Sequence, residues 1–298
     1  MKRFRKLSAT LCLAAASTLA SVQIGAAERQ PQLASVSTSV IDLESGKSLV
    51  SKNDDLVVPI ASITKLMTAM VILDAGQPLD EPVRIDQRDR ELAHNYYSRI
   101  RTGSELPRGD LLRIMLMSSE NLAATTLATH YPGGFDAFVK AMNAKAQSLG
   151  MTHSRFVGPS GLSPDNVSSA SDLARMVKAA VDYRLIREYS TTSVYTANFD
   201  RPRYRVGYTN TNALVRAGKW DIRLSKTGYL DEAGRCLVMV ASVDGRQVAM
   251  IMLDSFGKLS PVGDANRIRK WLETGNVSEI ASAAANYERR KTATLMAR

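Results

Sequence analysis

Two cysteines, Cys12 and Cys236, and three histidines are all that the 298-residue chain contains of either type. Cys12 falls in an N-terminal segment expected to be removed, which leaves Cys236 without an internal disulfide partner. The stretch Arg235-Cys-Leu-Val-Met-Val240 reads as a buried strand, so a packed thiol is expected rather than a reactive one. Exported proteins of this size can do without disulfides, and the redox setting stays open. His94, His130 and His153 show no pairing that suggests a catalytic triad or a metal ligand set, and are expected at surface or capping positions. There is no internal repeat, and past the N-terminus no apolar run long enough to span a bilayer. Acids are absent from residues 1–27, and no glutamate occurs between Glu120 and Glu188.

What is present begins with an address. Lys2-Arg-Phe-Arg-Lys6 precedes an apolar, Ala-rich run from Leu7 to about Leu19, and Gly25-Ala26-Ala27 offers small residues before Glu28. Residues 1–27 therefore read as a secretory signal peptide, and the mature protein is expected to be exported, periplasmic and soluble. The net charge is +10, of which +6 remains once the four N-terminal cations leave. That excess suits an anionic partner: nucleic acid, a membrane surface or a carboxylate-bearing polymer. Composition does not choose among them. Hydrophobic content of 45% and charged content of 23% are ordinary for a globular chain able to bury a core.

Periodicity gives the element order. Ala34 to Asn53 reads as a hairpin turning at Glu44–Lys47. A helix opening at Ser62, a favoured capping type, runs to about Asp74 with Gly76 as its cap. Val83–Ile85 and Ser98–Arg101 read as short strands. Helices follow from about Asp110 to Ser118, Leu122 to His130, Phe135 to Leu149 and Asp172 to Asp182. A loop, Val157 to Pro164, precedes the last of these. Strands return at Trp220–Gly228 and in a hairpin of Arg235–Val243 with Gln247–Leu253 across Asp244-Gly245. A final helix spans about Asp264 to Glu273. The expected fold class is α+β: an antiparallel sheet flanked by helices, about 34–85 and 183–275, with an all-helical lobe, about 86–182, inserted into it. The catalytic domain would be 28–275. The tail 276–298, Ala/Ser-rich and then basic at Arg289-Arg-Lys291, is expected to be frayed or weakly docked.

The chain is organised around Pro59-Ile-Ala-Ser62-Ile-Thr-Lys65. Three residues apart on a helix, Ser62 and Lys65 share a face. A serine hydroxyl is a poor nucleophile until a base takes its proton. An ordinary lysine, with a pKa of about 10.4, is neutral in fewer than ~1 in 1,000 molecules at neutral pH, and bringing that value to ~7 requires roughly 4 kcal/mol. Burial and a second cation are the usual sources. Two further polar clusters could complete such a site: Ser119-Glu-Asn121 at a break between helices, and Lys226-Thr-Gly228 on a strand. Taken singly, they read as a capped helix break and a strand end.

Together and in this order, the clusters resemble the signature of the serine penicillin-binding proteins and β-lactamases: Ser-x-x-Lys, Ser-x-Asn, Lys-Thr-Gly. Over about residues 34–275 the chain is similar to the low-molecular-weight penicillin-binding proteins of the D-alanyl-D-alanine carboxypeptidase family. Arg101-Thr-Gly-Ser104, Leu111–Asn121 and Arg155–Leu162 carry that resemblance. Ala61–Met70, Met117–Asn121, His130–Gly134 and Phe138–Ala146 resemble its periplasmic D-alanyl-D-alanine endopeptidase branch. The resemblance implies Ser62 as nucleophile, Lys65 as base with its pKa lowered by burial and by Lys226, and Ser119 as proton relay to the leaving amine. Asn121 would orient Lys65 or the substrate amide. Lys226 and Thr227 would bind the carboxylate beside the scissile bond, and Gly228 would let substrate lie along the strand. The N–H groups of Ser62 and Tyr229 would form an oxyanion hole. No cofactor and no metal are implied. The expected partners are cross-linked peptidoglycan stem peptides, with β-lactams as covalent inhibitors, and not nucleic acid.

Several activities stay open at this level. Endopeptidase cleavage of D-alanyl-meso-diaminopimelate cross-links and carboxypeptidase trimming of pentapeptides present the same carboxylate to Lys226. Only 25 residues follow Glu273, too few for the extra β-domain and amphipathic anchor of the membrane-bound carboxypeptidases, which favours the endopeptidase. A β-lactamase would need a deacylating base after Ser-x-Asn, and the glutamate-free stretch that follows argues against one. A dead wall-binding protein is disfavoured because all three clusters are intact.

Overall fold

The computed structural model describes residues 30–86 and 98–297. The expected signal segment 1–27 and His94 lie outside them. Strands β1 (Ser35–Asp42) and β2 (Ser48–Lys52) form the first hairpin. Three short ribbons pair β3 (Val58–Pro59) with β6 (Val167–Ser168), β4 (Pro82–Arg84) with β5 (Glu105–Pro107), and β7 (Val194–Phe199) with β8 (Tyr204–Thr209). The last strands are β9 (Ile222–Leu230), β10 (Gly234–Val243) and β11 (Arg246–Ser255). The helices are α1 (Thr64–Asp74), α2 (Arg108–Ser118), α3 (Asn121–Thr129), α4 (Gly134–Ser148), α5 (Ala170–Ala180), α6 (Arg184–Ser190), the one-turn α7 (Ala213–Ala217), α8 (Ser260–Thr274) and α9 (Ser282–Met296).

The main sheet is antiparallel, in the order β2-β1-β11-β10-β9. Alternation along β10 explains why both faces are covered. Cys236, Val238 and Val240 pack into the larger core with α1 and α5, while Leu237, Met239, Ala241 and Val243 meet Ala265, Ile268 and Trp271 of α8. Near-continuous apolar strands of this kind need a layer on each side. β9 is one of the two edge strands, paired with β10 so that Lys226 faces Val238, Gly228 faces Cys236 and Tyr229 faces Arg235. Between β5 and α5 the chain builds α2, α3 and α4, which share the larger core with α1.

Three local expectations change. Ser62 does not cap a helix: it sits in a 3-10 turn, Ala61–Ile63, ahead of α1, and makes no side-chain cap. Ser98–Arg101 forms no named strand. It is held by side chains instead, with Arg99 donating to the Gly207 carbonyl at 2.6 Å and the Arg101 N–H donating to the Tyr204 hydroxyl at 2.8 Å. The segment 184–209, in which no element was expected, folds as α6 and the β7–β8 ribbon. Its apolar positions are spread between polar ones, and a backbone bridge between Glu105 and Asp200 anchors it. The tail, expected to be frayed or weakly docked, carries α9, which rests on β1 and β11 with Ala284 as its one buried residue. Tyr287 donates to Asp254 at 2.5 Å, and Lys52 pairs with Glu288 at 3.1 Å.

Candidate active site

The first turn of α1 is bolted to the loop that precedes β6. Ala61 has φ +46, a conformation that costs a non-glycine residue of order 1–3 kcal/mol and persists only where the surroundings impose it. Here they do. Thr64 Oγ1 donates to the Ala61 carbonyl at 2.8 Å, and the Ile60 N–H donates to the Asn166 carbonyl at 3.1 Å. Asn166 in turn donates to Thr64 Oγ1 at 3.2 Å and accepts from the Val157 N–H at 2.7 Å. Thr68 donates to the Pro159 carbonyl at 2.7 Å. Gly161, at φ +75, lies so close that a Cβ there would sit 2.0 Å from the Ala61 oxygen. The result of this lacing is that the Ser160 carbonyl is fixed against the end of the Lys65 side chain.

Lys65 is fully buried, with 0% exposure. Its Nζ stands 2.8 Å from Ser62 Oγ and 2.6 Å from Asn121 Oδ1, and it also donates to the Ser160 carbonyl. Two of these three partners, a carbonyl and an amide oxygen, can only accept. A neutral amine has two N–H groups and one lone pair. If those two partners take the N–H groups, the lone pair is left for the Ser62 hydroxyl. Burial lowers the Lys65 pKa well below the usual value, the neighbouring Lys226 charge lowers it further, and Glu120 opposes both.

The second cluster reaches the site because the α2–α3 break is sharp. Ser119 adopts φ 63 and ψ 30 at the end of α2, and Glu120 caps α3 by accepting from the Leu122 N–H at 3.3 Å. Asn121 is then the first residue of α3, facing Lys65. Glu120 itself is buried; burial raises its pKa, against a Ser98 hydrogen bond and the Lys65 and Arg99 charges.

The third cluster comes from edge strand β9. Lys226, 1% exposed, donates to Ser119 Oγ at 2.9 Å and to the Thr227 carbonyl at 2.8 Å. Burial pulls its pKa down to about 7. Thr227 Oγ1 bonds Thr211 Oγ1 at 2.6 Å. A Cβ on Gly228 would stand 3.1 Å from both the Ile60 oxygen and the Ser62 nitrogen, so the missing side chain is what lets β9 lie against the Ser62 turn.

A cleft of about 500 Å³ opens over Ser62, Ser119, Asn121, Thr227, Gly228 and Tyr229. Lys65 and Lys226 lie beneath it. All eight residues singled out in the sequence thus meet at one place. The sequence reading gave no role to Ser160, Gly161, Asn166 or Thr211. The Gly-Pro-Ser-Gly run at 158–161 was a visible signal of a tight loop, but nothing in it announces which carbonyl meets an amine 95 positions away. Of the histidines, His130 bonds the Thr126 carbonyl at 3.0 Å through Nδ1, a helix-end contact. Cys236 is buried and its thiol is pushed up to about 12 by burial.

Comparison with known proteins gives the same direction. The profile of a protein family described as D-alanyl-D-alanine carboxypeptidase matches residues 24–257. A D-alanyl-D-alanine endopeptidase of Escherichia coli (strain K12) is 49% identical over 268 residues, covering 90% of this chain and 86% of that protein. One from Pseudomonas aeruginosa is 51% identical over 258 residues, covering 87% and 83%. Among solved structures, penicillin-binding protein D2 from Listeria monocytogenes in its ampicillin-bound form superposes with a TM-score of 0.69 at 28% identity, covering 83% of this chain and 99% of that one.

Proposed function

The chain belongs to the D-alanyl-D-alanine carboxypeptidase family, and on that premise we propose that it is a serine DD-endopeptidase that hydrolyses D-alanyl-meso-diaminopimelate cross-links in peptidoglycan. The observation that carries the reading is the Lys65 amine, buried 2.8 Å from Ser62 Oγ with two obligate acceptors occupying its other positions. In this reaction Ser62 Oγ attacks the D-alanyl carbonyl carbon while its proton passes to Lys65 Nζ. The carbonyl electrons move onto oxygen, held by the Ser62 and Tyr229 N–H groups, a contribution often worth about 3 kcal/mol per donor. Collapse breaks the C–N bond, and a proton routed through Ser119 from the lysine pair reaches the departing amine. Water then attacks the acyl carbon while Lys65 again accepts a proton; collapse breaks the ester C–Oγ bond, releases the D-alanyl carboxylate and returns the proton from Lys65 to Ser62 Oγ. Lys226 and Thr227 hold the carboxylate beside the scissile bond, and Asn121 fixes Lys65. A β-lactam follows the same first step, and its ring-opened amine stays tethered, so a long-lived adduct on Ser62 is expected. The protein would work in the periplasm, after export.

The relatives named as endopeptidases favour cross-link cleavage over pentapeptide trimming, the second reading that the same residues support. Digestion of purified cross-linked muropeptide dimers and monomeric pentapeptides side by side tests it. Dimer cleavage is expected; cleavage of pentapeptide alone would overturn the assignment.

A further inference from the structure

We propose that the outer part of the cleft is a carboxylate-binding subsite for the leaving stem peptide, with Arg216 and Arg235 as its specificity-determining residues; this rests on the endopeptidase reading. The cleft that holds Ser62, Thr227 and Tyr229 is also lined by Arg216, Arg235 and Lys258, and neither Asp nor Glu lines it. Among the described residues none of these three cations forms an ion pair. Arginines elsewhere do so: Arg108 with Glu81, Arg113 with Glu188, Arg201 with Glu105. Arg216 rides on α7, and one guanidinium nitrogen donates to the Asn210 carbonyl at 2.5 Å. Arg235 is the β10 partner of Tyr229, and its guanidinium lies over that ring at 3.6 Å. Tyr229 is steadied in turn by donating to Asp231 at 2.6 Å. Both guanidinium groups are therefore held in place before any ligand arrives, which lowers the ordering cost of binding.

The chemistry of the two possible leaving groups explains what such cations could serve. Trimming a pentapeptide releases one D-alanine, whose single carboxylate sits next to the scissile bond and is met by Lys226 and Thr227. Cutting a cross-link releases a whole stem peptide. Beyond the carboxylate next to the broken bond, that peptide carries others, on its terminal D-alanine and its γ-linked glutamate. A guanidinium meets a carboxylate with two parallel N–H bonds, a geometry that a point-charge ammonium lacks. Arg216 and Arg235 have a partner in the second reaction and none in the first.

The test compares native enzyme with the double variant Arg216→Ala/Arg235→Ala on three substrates: cross-linked tetrapeptide dimers, monomeric pentapeptide and penicillin. For partly exposed charge pairs the expected loss in kcat/KM on dimers is about tenfold, mostly in KM. Penicillin acylation and any pentapeptide trimming should hold at native rates, which also reports an intact fold. Arg216→Lys/Arg235→Lys should recover part of the loss. Added salt should weaken dimer cleavage by the native enzyme more than by the Ala variant. Dimer cleavage by the Ala variant at native efficiency overturns the subsite, as does an equal loss on all three substrates. A native enzyme that cuts only pentapeptide would sink the endopeptidase reading itself, and that result is visible before any variant is made.

Discussion

Replacing Asn121 by Asp tests the amine-as-base argument with almost no change of shape. Asn121 Oδ1 lies 2.6 Å from Lys65 Nζ. A carboxylate there would attract the ammonium form by about 6 kcal/mol at an effective dielectric of ~20. Lost hydration of the new carboxylate offsets part of that, and an opposite charge at such range raises a lysine pKa by about 1–3 in practice. A rise of about 2 cuts the neutral fraction of Lys65 about 100-fold at any pH below its pKa, and acylation with it. The sign follows from the chemistry: the base works only after losing its proton, so the rising limb of the pH–rate profile moves to higher pH. The assay is the rate of adduct formation on Ser62 with a fluorescent penicillin, from about pH 6 to about pH 10, with thermal melting as a check on folding. Asn121→Asp is expected to be severely slow near neutrality and to recover toward the alkaline end. Native-rate acylation at neutral pH would refute the reasoning, and so would a deficit that stays constant across the range.

Lys226, with its pKa drawn down to about 7 by burial, gives two pH predictions. It is charged below that value, so KM for carboxylate substrates, penicillin included, should rise as pH climbs past ~7. In the unfolded chain the same lysine titrates near 10.4, so the unfolded state holds more protons between ~7 and ~10 and stability should increase with pH across that window. Lys226→Met should melt higher than native below about pH 7, with the two curves converging near pH 10, because a buried charge replaced by an apolar side chain no longer loses hydration. Gly161→Ala should lower stability by about 3 kcal/mol or more, since its Cβ would collide with the Ala61 oxygen; urea unfolding measures it. Tyr287→Phe removes the 2.5 Å bond to Asp254 and should cost about 1–3 kcal/mol by the same assay; no change would mean that this bond adds nothing to the docking of α9.

The sheet strands and the long helices were legible because their apolar spacing is simple. β10 and β11 alternate into two cores around an Asp-Gly turn, and α1 and α2 are apolar on nearly every side. The β7–β8 ribbon was not, because its residues alternate weakly and its anchoring depends on a bridge from Glu105 to Asp200, 95 positions apart. The tail helix α9 has one buried residue, Ala284, and is held by ion pairs and a tyrosine that only the folded sheet presents. In the site, the clusters announced side chains but not backbone. Ser160 matters through its carbonyl, and Ala61 through an unusual φ imposed by a loop distant in the chain. Neither property belongs to a residue type, so no motif could have carried it.

Where the substrate choice is made follows from the same division. In the proposed reaction Ser62, Lys65, Ser119, Asn121 and Lys226 would surround one bond and one neighbouring carboxylate, and both candidate reactions would present those groups identically. No change confined to these residues can separate a cross-link from a pentapeptide end. The two substrates differ only beyond the departing nitrogen, so discrimination has to reside in whatever lines the cleft past Thr227. That wall is built from α7, the far end of β10 and the turn before α8, elements that leave the lysine pair untouched. On the proposed reading catalysis and selectivity therefore sit on separate parts of the fold, and altering the second would leave Lys65 beside Ser62.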